Sequence, residues 1–402
     1  MKWTNPGHEL DEIGSGFLKV KNICLFGFDE QSSDMLNFLK WIDIEKDFNI
    51  KFVWDESEHE GECVPDTFCD KPVVVYNAKS KPEDIIDTNE NTIVVLKRHE
   101  HTRRRDLLLS KGITQIFYME ASHLGKNNFI QNFVCVYMMY KYGKLLSHWT
   151  NYLVTYRCNL NCKHCLNFNS YLEHPTDVSF EEFKNHFDTL FEKFDYLYSL
   201  HLCGGEPLLA KDLSKKIMYL KENYGERIYD FFIITNGTII PSDENLKAIK
   251  EMNGWVFVDD YSDSVAVSKI SEIKQRFEEF GIKAVPVKAS FWYDIAIDET
   301  DFSDKTDEEM EMHKDGCHNY LHEFGEGNIY ACCYQQYAHR AGQGTKERED
   351  YIIISDTPKM EILEFRQGYT QKGYTSLCRT CRGMGQSAKK VAVAEQIPRN
   401  RG

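Results

Sequence analysis

Three cysteines lie close together in the segment 158–165, directly after the apolar residues 152–154. Their spacing is C-x3-C-x2-C, and thiolates this close share a metal centre or do redox chemistry. A structural zinc site is the plain alternative, but it usually takes four ligands, often as two C-x2-C pairs. Cysteine thiolates also hold iron–sulfur cubes, and a cube with three protein cysteines leaves one iron open to an outside ligand. The fold must therefore bring Cys158, Cys162 and Cys165 to one partly open site.

Two more motifs follow at the ends of strand-like runs. Gly-Gly-Glu-Pro begins at Gly204 after the run 197–202, and Thr-Asn-Gly ends a second run at 235–237. Together with the cysteine spacing, these motifs resemble the signature of radical S-adenosylmethionine (SAM) enzymes. His164 departs from the family pattern, which usually has an aromatic residue there near the adenine, and a flat imidazole can pack in the same way. The resemblance implies a [4Fe–4S] cluster on the three cysteines, with SAM on the open iron.

The resemblance also implies a reaction and a set of SAM contacts. A one-electron reductant such as flavodoxin or ferredoxin supplies an electron, SAM splits to a 5′-deoxyadenosyl radical, and this radical takes hydrogen from the substrate. The protein supplies orientation and excludes competing reactions. Glycine backbone is expected to face the methionine part of SAM, and Glu206 its ammonium group. The residues implied for SAM binding are Gly204, Gly205, Glu206, Asn236, Asp260 and Ser262.

From Thr150 onward, strand-like and helix-like segments alternate. This pattern is typical of parallel strands with helices between them. Residues that follow the strands of a parallel barrel meet at one rim, where such barrels carry their active sites. Cys158, Gly204, Asn236 and Asp260 all come just after predicted strands, so we expect them to lie together. The predicted strands are Tyr152–Tyr156, Tyr198–Leu202, Phe231–Thr235, Trp255–Val258 and Ile282–Val287.

The first part of the chain also alternates between strand and helix patterns, which predicts another parallel α/β sheet. A strand that ends at Gly27, a helix over 32–44 and a strand that ends at Asp55 are arranged as in half of a Rossmann-like domain. The glycine motif is incomplete, because one glycine stands where a pyrophosphate site needs several. We therefore favour a docking domain over a nucleotide-binding one. The basic run 97–105 either binds a phosphate group or, more simply, is the solvated first turn of a helix.

Four cysteines near the end of the chain form a second set. Cys317 and Cys332 stand in a C-x9-G-x4-C pattern, and Cys378 and Cys381 form a C-x2-C pair. This arrangement resembles the twitch domain, a shorter relative of the SPASM domain, and implies one auxiliary [4Fe–4S] cluster with all four irons ligated. A zinc ribbon with the same ligands is the alternative. No cysteine follows Cys381, so we expect no second auxiliary cluster.

Two further cysteines are candidate hydrogen-atom donors to a substrate radical. Cys333 adjoins a predicted ligand, and in a strand over 328–334 its side chain would point away from that of Cys332. Cys203 adjoins the Gly-Gly-Glu-Pro motif. A cysteine has this role in radical SAM epimerases, and the resemblance extends it to Cys333. A buried small apolar residue is the simpler interpretation of both.

These patterns predict an α/β fold with three domains, which suits a length of 402 residues. Residues 1–146 are expected to form the Rossmann-like domain, for docking or for nucleotide or carrier binding. Residues 147–305 are expected to form a partial (β/α)6 TIM-type barrel of the radical SAM kind. Residues 306–402 are expected to form a small twitch- or SPASM-like iron–sulfur domain.

Composition narrows the setting in which such a chain works. A net charge of −15 argues against a nucleic-acid or anionic-membrane partner. No apolar run is long enough to span a bilayer, and no signal-peptide pattern is visible. The chain has thirteen cysteines, an odd number, and their clustering favours metal ligation in a reducing compartment. We therefore expect a cytoplasmic protein.

The substrate stays open at the level of sequence. Family members with twitch or SPASM domains act on sugars, aminocyclitols or peptides, and peptide maturases commonly have a small winged-helix domain at the N-terminus. The longer α/β domain of this chain favours a sugar-like small molecule, either free or linked to a nucleotide or carrier, which is oxidised or epimerised. A radical SAM maturase of peptides or proteins and a non-catalytic metal-binding interaction protein are the alternatives.

Overall fold

Two parallel sheets organise the chain, one in each of two units. The computed structural model divides the chain into His8–Leu145 and a larger unit made of Met1–Gly7 and Leu146–Gly402. No helix in the described part of the chain is long and apolar enough to cross a membrane. The residues that the structure describes are 1–55, 63–77, 79–81, 91–97, 102–119, 127–295, 297, 299–317, 322–344, 346–385 and 388–399.

The smaller unit is built on a six-stranded sheet. Its strands are β1 (Asn22–Phe26), β2 (Asn49–Asp55), β3 (Thr67–Phe68), β4 (Lys71–Tyr76), β5 (Thr92–Leu96) and β6 (Ile116–Tyr118), and its helices include α1 (Asp11–Phe17), α2 (Glu30–Trp41), α3 (Thr102–Ser110) and α4 (Cys135–Tyr142). The order is β3-β4-β2-β1-β5-β6, and all neighbours are parallel except β3 with β4. Without β3, this is the strand order of a Rossmann-like sheet. The predicted α/β fold is therefore confirmed.

Ion pairs occupy the ends of β1 and β2, where a dinucleotide binds in a complete Rossmann domain. Asp55, the last residue of β2, pairs with Arg104 at 2.8 Å, and both side chains are almost fully buried. Asp29, which caps α2, pairs with Lys97 at 2.8 Å. The predicted basic run thus contributes to internal ion pairs, while its residues 98–101 lie outside the described residues. Nucleotide or carrier binding by this unit stays a prediction.

The larger unit is built on a second parallel sheet. Its strands are β7 (Leu146–Ser147), β8 (Thr150–Thr155), β9 (Tyr196–Gly204), β10 (Ile228–Thr235), β11 (Trp255–Asp259) and β12 (Ala284–Val287), and the connecting helices are α5 (Phe180–Lys193), α6 (Leu213–Tyr224), α7 (Asp243–Glu251) and α8 (Ile270–Glu279). The order is β12-β11-β10-β9, and β7 and β8 both pair with the other edge of β9. Every pair is parallel. This is the parallel sheet that the predicted partial barrel requires.

Local sequence explains where these elements begin and end. Helix α5 starts at a capping box between Ser179 and Glu182, and Phe183 and Phe187 lie one turn apart on its buried side. Strand β12 ends the sheet, and its Pro286 has no N–H to donate to a further neighbour. The next strand, β13 (Trp292–Asp294), pairs antiparallel with β17 (Lys389–Val391) instead.

Smaller elements follow the barrel sheet. They are β14 (Glu323–Gly325), β15 (Asn328–Tyr330) and β16 (Tyr351–Ile353), which form an antiparallel sheet, and helices α9 (Asp307–Asp315), α10 (Cys333–Arg340) and α11 (Lys359–Arg366). The predicted strand over 328–334 is wrong beyond Tyr330, because Cys333 begins α10. Cys333 and Tyr337 lie four residues apart on the buried side of this helix, and the good helix former Ala338 continues it.

Candidate functional site

A cavity of about 270 Å³ lies at the carboxyl ends of the barrel strands. The loop after β8 brings Cys158, Cys162 and Cys165 to its wall, and β9, β10 and β11 contribute the residues at their ends. Parallel strands place their ends at one rim, so residues far apart in the chain meet there. Further residues of the wall that matter below are Asn151, Cys203, Gly204, Gly205, Asn236 and Asp259.

Hydrogen-bond donors point at the thiols of this loop. The Leu160 N–H donates to Cys158 Sγ at 3.4 Å, and the Gln396 side-chain amide donates to Cys162 Sγ at 3.1 Å. Burial raises the pKa of Cys158 to about 12 and the pKa of Cys162 to about 11. Both are therefore neutral thiols at pH 7 when no metal is bound. Metal binding would replace their protons, as thiolate ligation always does.

A single ion and a cluster require different spacings of these thiols. Among the described residues, no three His, Cys, Asp or Glu side chains converge closely enough to hold a single metal ion. A cube gives each cysteine an iron of its own, so its ligands stand farther apart than the ligands of one zinc ion. Three thiols on the wall of one roomy cavity fit a cluster with three protein ligands and one open iron.

The two glycines of the Gly-Gly-Glu-Pro motif let β9 approach the backbone that follows β8. A Cβ on Gly204 would lie 2.4 Å from the Thr155 carbonyl oxygen, and a Cβ on Gly205 would lie 2.4 Å from the Arg157 carbonyl oxygen. Such contacts are far inside van der Waals distance, so no side chain fits at either position. The glycines therefore hold the motif directly against the loop that carries the cysteines.

Glu206 is a fully buried carboxyl group. It accepts hydrogen bonds from the backbone N–H groups of Leu208 at 3.1 Å and Asn236 at 2.8 Å, and from the Thr235 hydroxyl at 2.8 Å. Burial raises its pKa to about 7, and no protein cation contributes to that pKa. A buried carboxylate is stable only with a charged or well-bonded partner. Since no cation of the described residues contributes to this pKa, an ammonium group brought by a ligand would supply the positive charge that the site lacks.

Asn236, at the end of β10, connects the Thr-Asn-Gly motif to the cysteine loop. Its side-chain amide donates to Asn159 Oδ1 at 3.1 Å and to Cys158 Sγ at 3.7 Å. Its own oxygen accepts from the Thr238 backbone N–H at 3.2 Å. Asn236 thus holds the first cysteine in place as well as lining the cavity.

Asp259, the last residue of β11, lies on the cavity wall. The two predicted residues that follow it, Asp260 and Ser262, do not. Asp260 accepts from the Ser262 backbone N–H at 2.9 Å in the turn that follows the strand. Alternation along β11 buries Val256 and Val258 on one face, so Asp259 belongs to the other. Burial raises the pKa of Asp259 to about 6. The alternation of apolar residues along β11 is the signal in the sequence that could have identified Asp259.

A chain of polar side chains lies behind Cys203. The Cys203 thiol donates to Asn151 Oδ1 at 3.2 Å, and the Asn151 amide donates to Glu323 Oε2 at 3.1 Å and to the Tyr337 hydroxyl at 3.3 Å. Burial raises the pKa of Glu323 to about 8 and raises the pKa of Cys203 well above its ordinary value. At neutral pH this wall of the cavity therefore carries neutral hydrogen-bonding groups.

His164 is not on the wall of the 270 Å³ cavity. It lines an adjoining depression of about 190 Å³ together with Tyr171 and Glu299. Its Nδ1 lies 3.6 Å from Asp294 Oδ1. Packing against adenine stays a prediction for this residue.

The four later cysteines line one small cavity of about 20 Å³. The Gly383 N–H donates to Cys381 Sγ at 3.2 Å, and the Met384 N–H donates to Cys317 Sγ at 3.3 Å. Four thiols with N–H donors fit a metal centre whose ligands are all protein. The members of this set are Cys317, Cys332, Cys378 and Cys381.

A cation accompanies these four thiols. Lys314, near the end of α9, lines the same cavity, and although burial alone would lower its pKa, the surrounding cysteine thiolates raise it. The pKa of Cys332 is lowered, chiefly by a hydrogen bond with Cys333 and also by the charge of Lys314. Lys314 therefore offsets part of the negative charge that four thiolates would bring together.

The two candidate hydrogen-atom donors differ in position. Both belong to one buried cluster with Leu153, Phe168 and Leu377, and of the two only Cys203 also lies on the wall of the large cavity. The first turn of α10 directs Cys333 into this cluster, next to Cys332, rather than away from it as the predicted strand required. Its role as donor stays a prediction.

Comparison with known proteins gives one family. The sequence profile of the radical SAM superfamily matches residues 152–280. The chain is 37% identical over 101 residues to an uncharacterised protein of Methanocaldococcus jannaschii, which covers 25% of this chain and 34% of that protein. It is 39% identical over 126 residues to the Fe-coproporphyrin III synthase of Methanosarcina barkeri, which covers 31% of this chain and 28% of that protein. The chain thus spans about a third of the length of these relatives.

Solved structures similar to this chain include BtrN in complex with AdoMet and 2-DOIA. The match covers 62% of this chain and 99% of BtrN, at 18% identity and a TM-score of 0.38. A second is anSMEcpe with bound AdoMet, at 15% identity and a TM-score of 0.37, covering 57% and 81% of the two chains. These TM-scores are too low to carry any argument, so the assignment rests on the superfamily match and on the residues of the site.

Proposed function

We propose that this protein, whose residues 152–280 are a radical SAM domain, is a radical SAM oxidoreductase or epimerase. The observation that carries the proposal is the common cavity of the three loop cysteines, the two glycines and Asn236, with buried Glu206 directly behind. When bound there, a [4Fe–4S] cluster supplies the electron that splits SAM to a 5′-deoxyadenosyl radical.

The residues of the cavity have distinct roles in this proposal. Cys158, Cys162 and Cys165 hold the cluster, and Gly204 and Gly205 keep the motif close to them. Glu206 is proposed to stabilise the ammonium group of SAM by its charge from behind the wall, since no protein cation contributes to its pKa. Asn236 and Asp259 offer an amide and a carboxyl group to the polar parts of SAM, and Asp260 and Ser262 act through the turn that follows β11.

The second cysteine set would hold an auxiliary [4Fe–4S] cluster of the twitch or SPASM kind. The four thiols, their N–H donors and Lys314 surround one small cavity of about 20 Å³. With four protein ligands no iron is left open to a substrate, so its proposed role is to pass an electron rather than to bind a molecule. A zinc ion on the same four thiols is the alternative from sequence, but one ion requires these thiols to converge more closely than the described residues do.

We propose a sugar-like small molecule, either free or linked to a nucleotide or carrier, as the substrate. Asn151 and Cys203 on the wall, with the buried Glu323 behind them, offer neutral donors and acceptors, which suit hydroxyl groups better than a charged or apolar substrate. Oxidation of a carbinol would send the second electron to the auxiliary centre and from there to an acceptor such as flavodoxin or ferredoxin. Incubation in deuterated water separates the two reactions, because only epimerisation places deuterium on the product carbon.

If the reaction is an epimerisation, the position of the thiols decides between the two candidate donors. Cys203 lies on the cavity wall and Cys333 does not, so we expect Cys203→Ala to abolish deuterium incorporation and Cys333→Ala to leave it. The opposite result would restore the donor role predicted for Cys333. A peptide maturase remains the second candidate, and binding of a short peptide by residues 8–145 would favour it.

The test of the proposed function is anaerobic reconstitution with iron and sulfide. About eight irons per chain would fit two cubes, and the parent protein should release 5′-deoxyadenosine from SAM with dithionite. Cys162→Ala should abolish that release, while Cys63→Ala, which changes an exposed cysteine of the other unit, should not. Zinc instead of iron at the loop cysteines, or full SAM cleavage by Cys162→Ala, would overturn the assignment.

A further inference from the structure

Residues 388–399, which we call the strap, follow the second cysteine set and return to the first. The strap begins with β17, which pairs with β13. Ala394 is then fully buried in a cluster with Leu160 and Cys162, against which Cys158 and Cys165 also pack. A stretch that carries no cysteine thus forms one side of the site of the three loop cysteines.

Backbone hydrogen bonds fasten the strap to the cysteine loop. The Lys163 N–H donates to the Glu395 carbonyl at 2.8 Å, and the Ile397 N–H donates to the Asn161 carbonyl at 2.9 Å. Between these bonds, Cys162 and Gln396 form an antiparallel bridge. The loop and the strap are therefore paired like two short strands.

Gln396 uses both ends of its side-chain amide in this pairing. Its oxygen accepts from the Asn161 backbone N–H at 2.9 Å. Its Nε2 donates to Cys162 Sγ at 3.1 Å and to the Ala394 carbonyl oxygen at 2.8 Å. The first contact holds the backbone of the loop, and the second reaches a ligand atom.

We propose that the strap completes the iron–sulfur site and that Gln396 is a positioning residue for it. This inference rests on the proposed function and adds a role for a segment outside the matched residues 152–280. Hydrogen bonds to the sulfur ligands stabilise the more negative, reduced form of a cluster and so raise its reduction potential. The Gln396 amide supplies one such bond at Cys162, and Ala394 of the strap packs against the loop on the same side.

Substitutions separate the acceptor and donor functions of the Gln396 amide. Gln396→Glu keeps an oxygen for the Asn161 N–H but replaces the donor to Cys162 with a second oxygen, which repels a thiolate. Gln396→Ala removes all three side-chain contacts, including the one to the Ala394 carbonyl oxygen. Gln275→Glu is the matched control, because Gln275 lies exposed on α8 and bonds only to Glu279 among the residues described. A structural anchor predicts that Gln396→Glu, which keeps the Asn161 bond, perturbs the site less than Gln396→Ala, whereas a donor predicts that it perturbs the site more.

Two measurements on the full-length chain test the inference. In the metal-free protein, hydrogen exchange at the Lys163 and Ile397 amides should be slow in the parent and in Gln275→Glu, and faster in Gln396→Ala. In the reconstituted protein, Gln396→Glu should lower the reduction potential of the SAM-binding cluster and release its iron about tenfold faster, as the loss of a charge-assisted hydrogen bond requires. An unchanged reduction potential in Gln396→Glu would contradict the donor role. Fast exchange at the Lys163 and Ile397 amides of the parent would contradict the pairing of the strap with the loop.

These outcomes are separable from failure of the proposed function. If the parent protein shows slow exchange at Lys163 but binds no iron at the loop cysteines, the strap exists and the radical SAM assignment fails. If iron binds and SAM is cleaved in every variant with one common potential, the assignment stands and the inference about Gln396 fails.

Discussion

The two cysteine sites of the larger unit differ in how they are assembled and in how much space they leave. The first takes three cysteines from one loop, 158–165, and opens on a cavity of about 270 Å³. The second takes four cysteines from separate places between Cys317 and Cys381 and leaves about 20 Å³. A ligand molecule fits only the first. The difference fits the proposed functions, a reactive centre with an open coordination position at the first site and a closed, electron-transferring centre at the second.

The strongest challenge to this comparison is the loss of one ligand from each site. Cys162→Ala should abolish 5′-deoxyadenosine formation, because three thiolates are the minimum for the open cube. Cys378→Ala should remove about four irons per chain yet still cleave SAM with dithionite. Iron analysis and product chromatography measure both. If Cys378→Ala stops SAM cleavage while the first cluster is intact, the two sites do not have the separate roles described here.

A second substitution tests whether the open site binds SAM through a buried charge. Glu206→Gln keeps the size of the side chain but removes the charge available to an ammonium group, so the dissociation constant for SAM should rise about tenfold or more. Equilibrium dialysis against labelled SAM measures this on the reconstituted protein. Iron content serves as the control and should not change. Equal SAM affinity in the variant and the parent would remove Glu206 from the site.

A third substitution acts on the closed site alone. Lys314→Met removes the cation that offsets the four thiolates, so the reduction potential of the auxiliary cluster should fall. Lys314→Arg keeps the charge and should stay close to the parent. Potentiometric titration followed by electron paramagnetic resonance separates the two clusters. A shift of the other cluster instead would show that Lys314 does not act where the structure places it.

The smallest expected effect is a change in how the stability of the protein depends on pH, caused by Glu323. Burial raises its pKa to about 8, so the folded protein keeps a proton that the unfolded chain has lost above the ordinary pKa of a glutamate. Stability contributed by this group therefore falls as pH rises from about 4.5 to 8. Glu323→Gln removes that fall and should raise the melting temperature of the metal-free protein by about 2 °C at pH 8.5, and by less at pH 6. Thermal unfolding at the two pH values measures the difference.

Sequence reasoning succeeded where the determinants are local. The C-x3-C-x2-C spacing lies within one loop, and apolar runs mark β9 and β10, so the meeting of Cys158, Gly204 and Asn236 followed from the parallel α/β pattern. The parallel sheet of the smaller unit is likewise what its alternation predicts. Pattern and topology are properties that a short window of sequence carries.

Sequence reasoning failed where a contact joins distant segments or depends on a shift of one residue. Asp259 replaces Asp260 on the cavity wall because β11 extends one residue beyond the predicted strand. Cys333 begins a helix, although the residues before it continue a strand pattern. The residues around Gln396 do not predict its contact with Cys162, because that contact joins distant segments and forms only once β17 has paired with β13.

The return of the strap to the cysteine loop has a consequence for biosynthesis. A ribosome adds about 5–20 residues per second, so the 223 positions from Leu166 to Ala388 take roughly 10–45 s to appear. During that interval the nascent cysteine loop has no strap to pair with. This side of the cysteine site is therefore completed only after translation has passed residue 399.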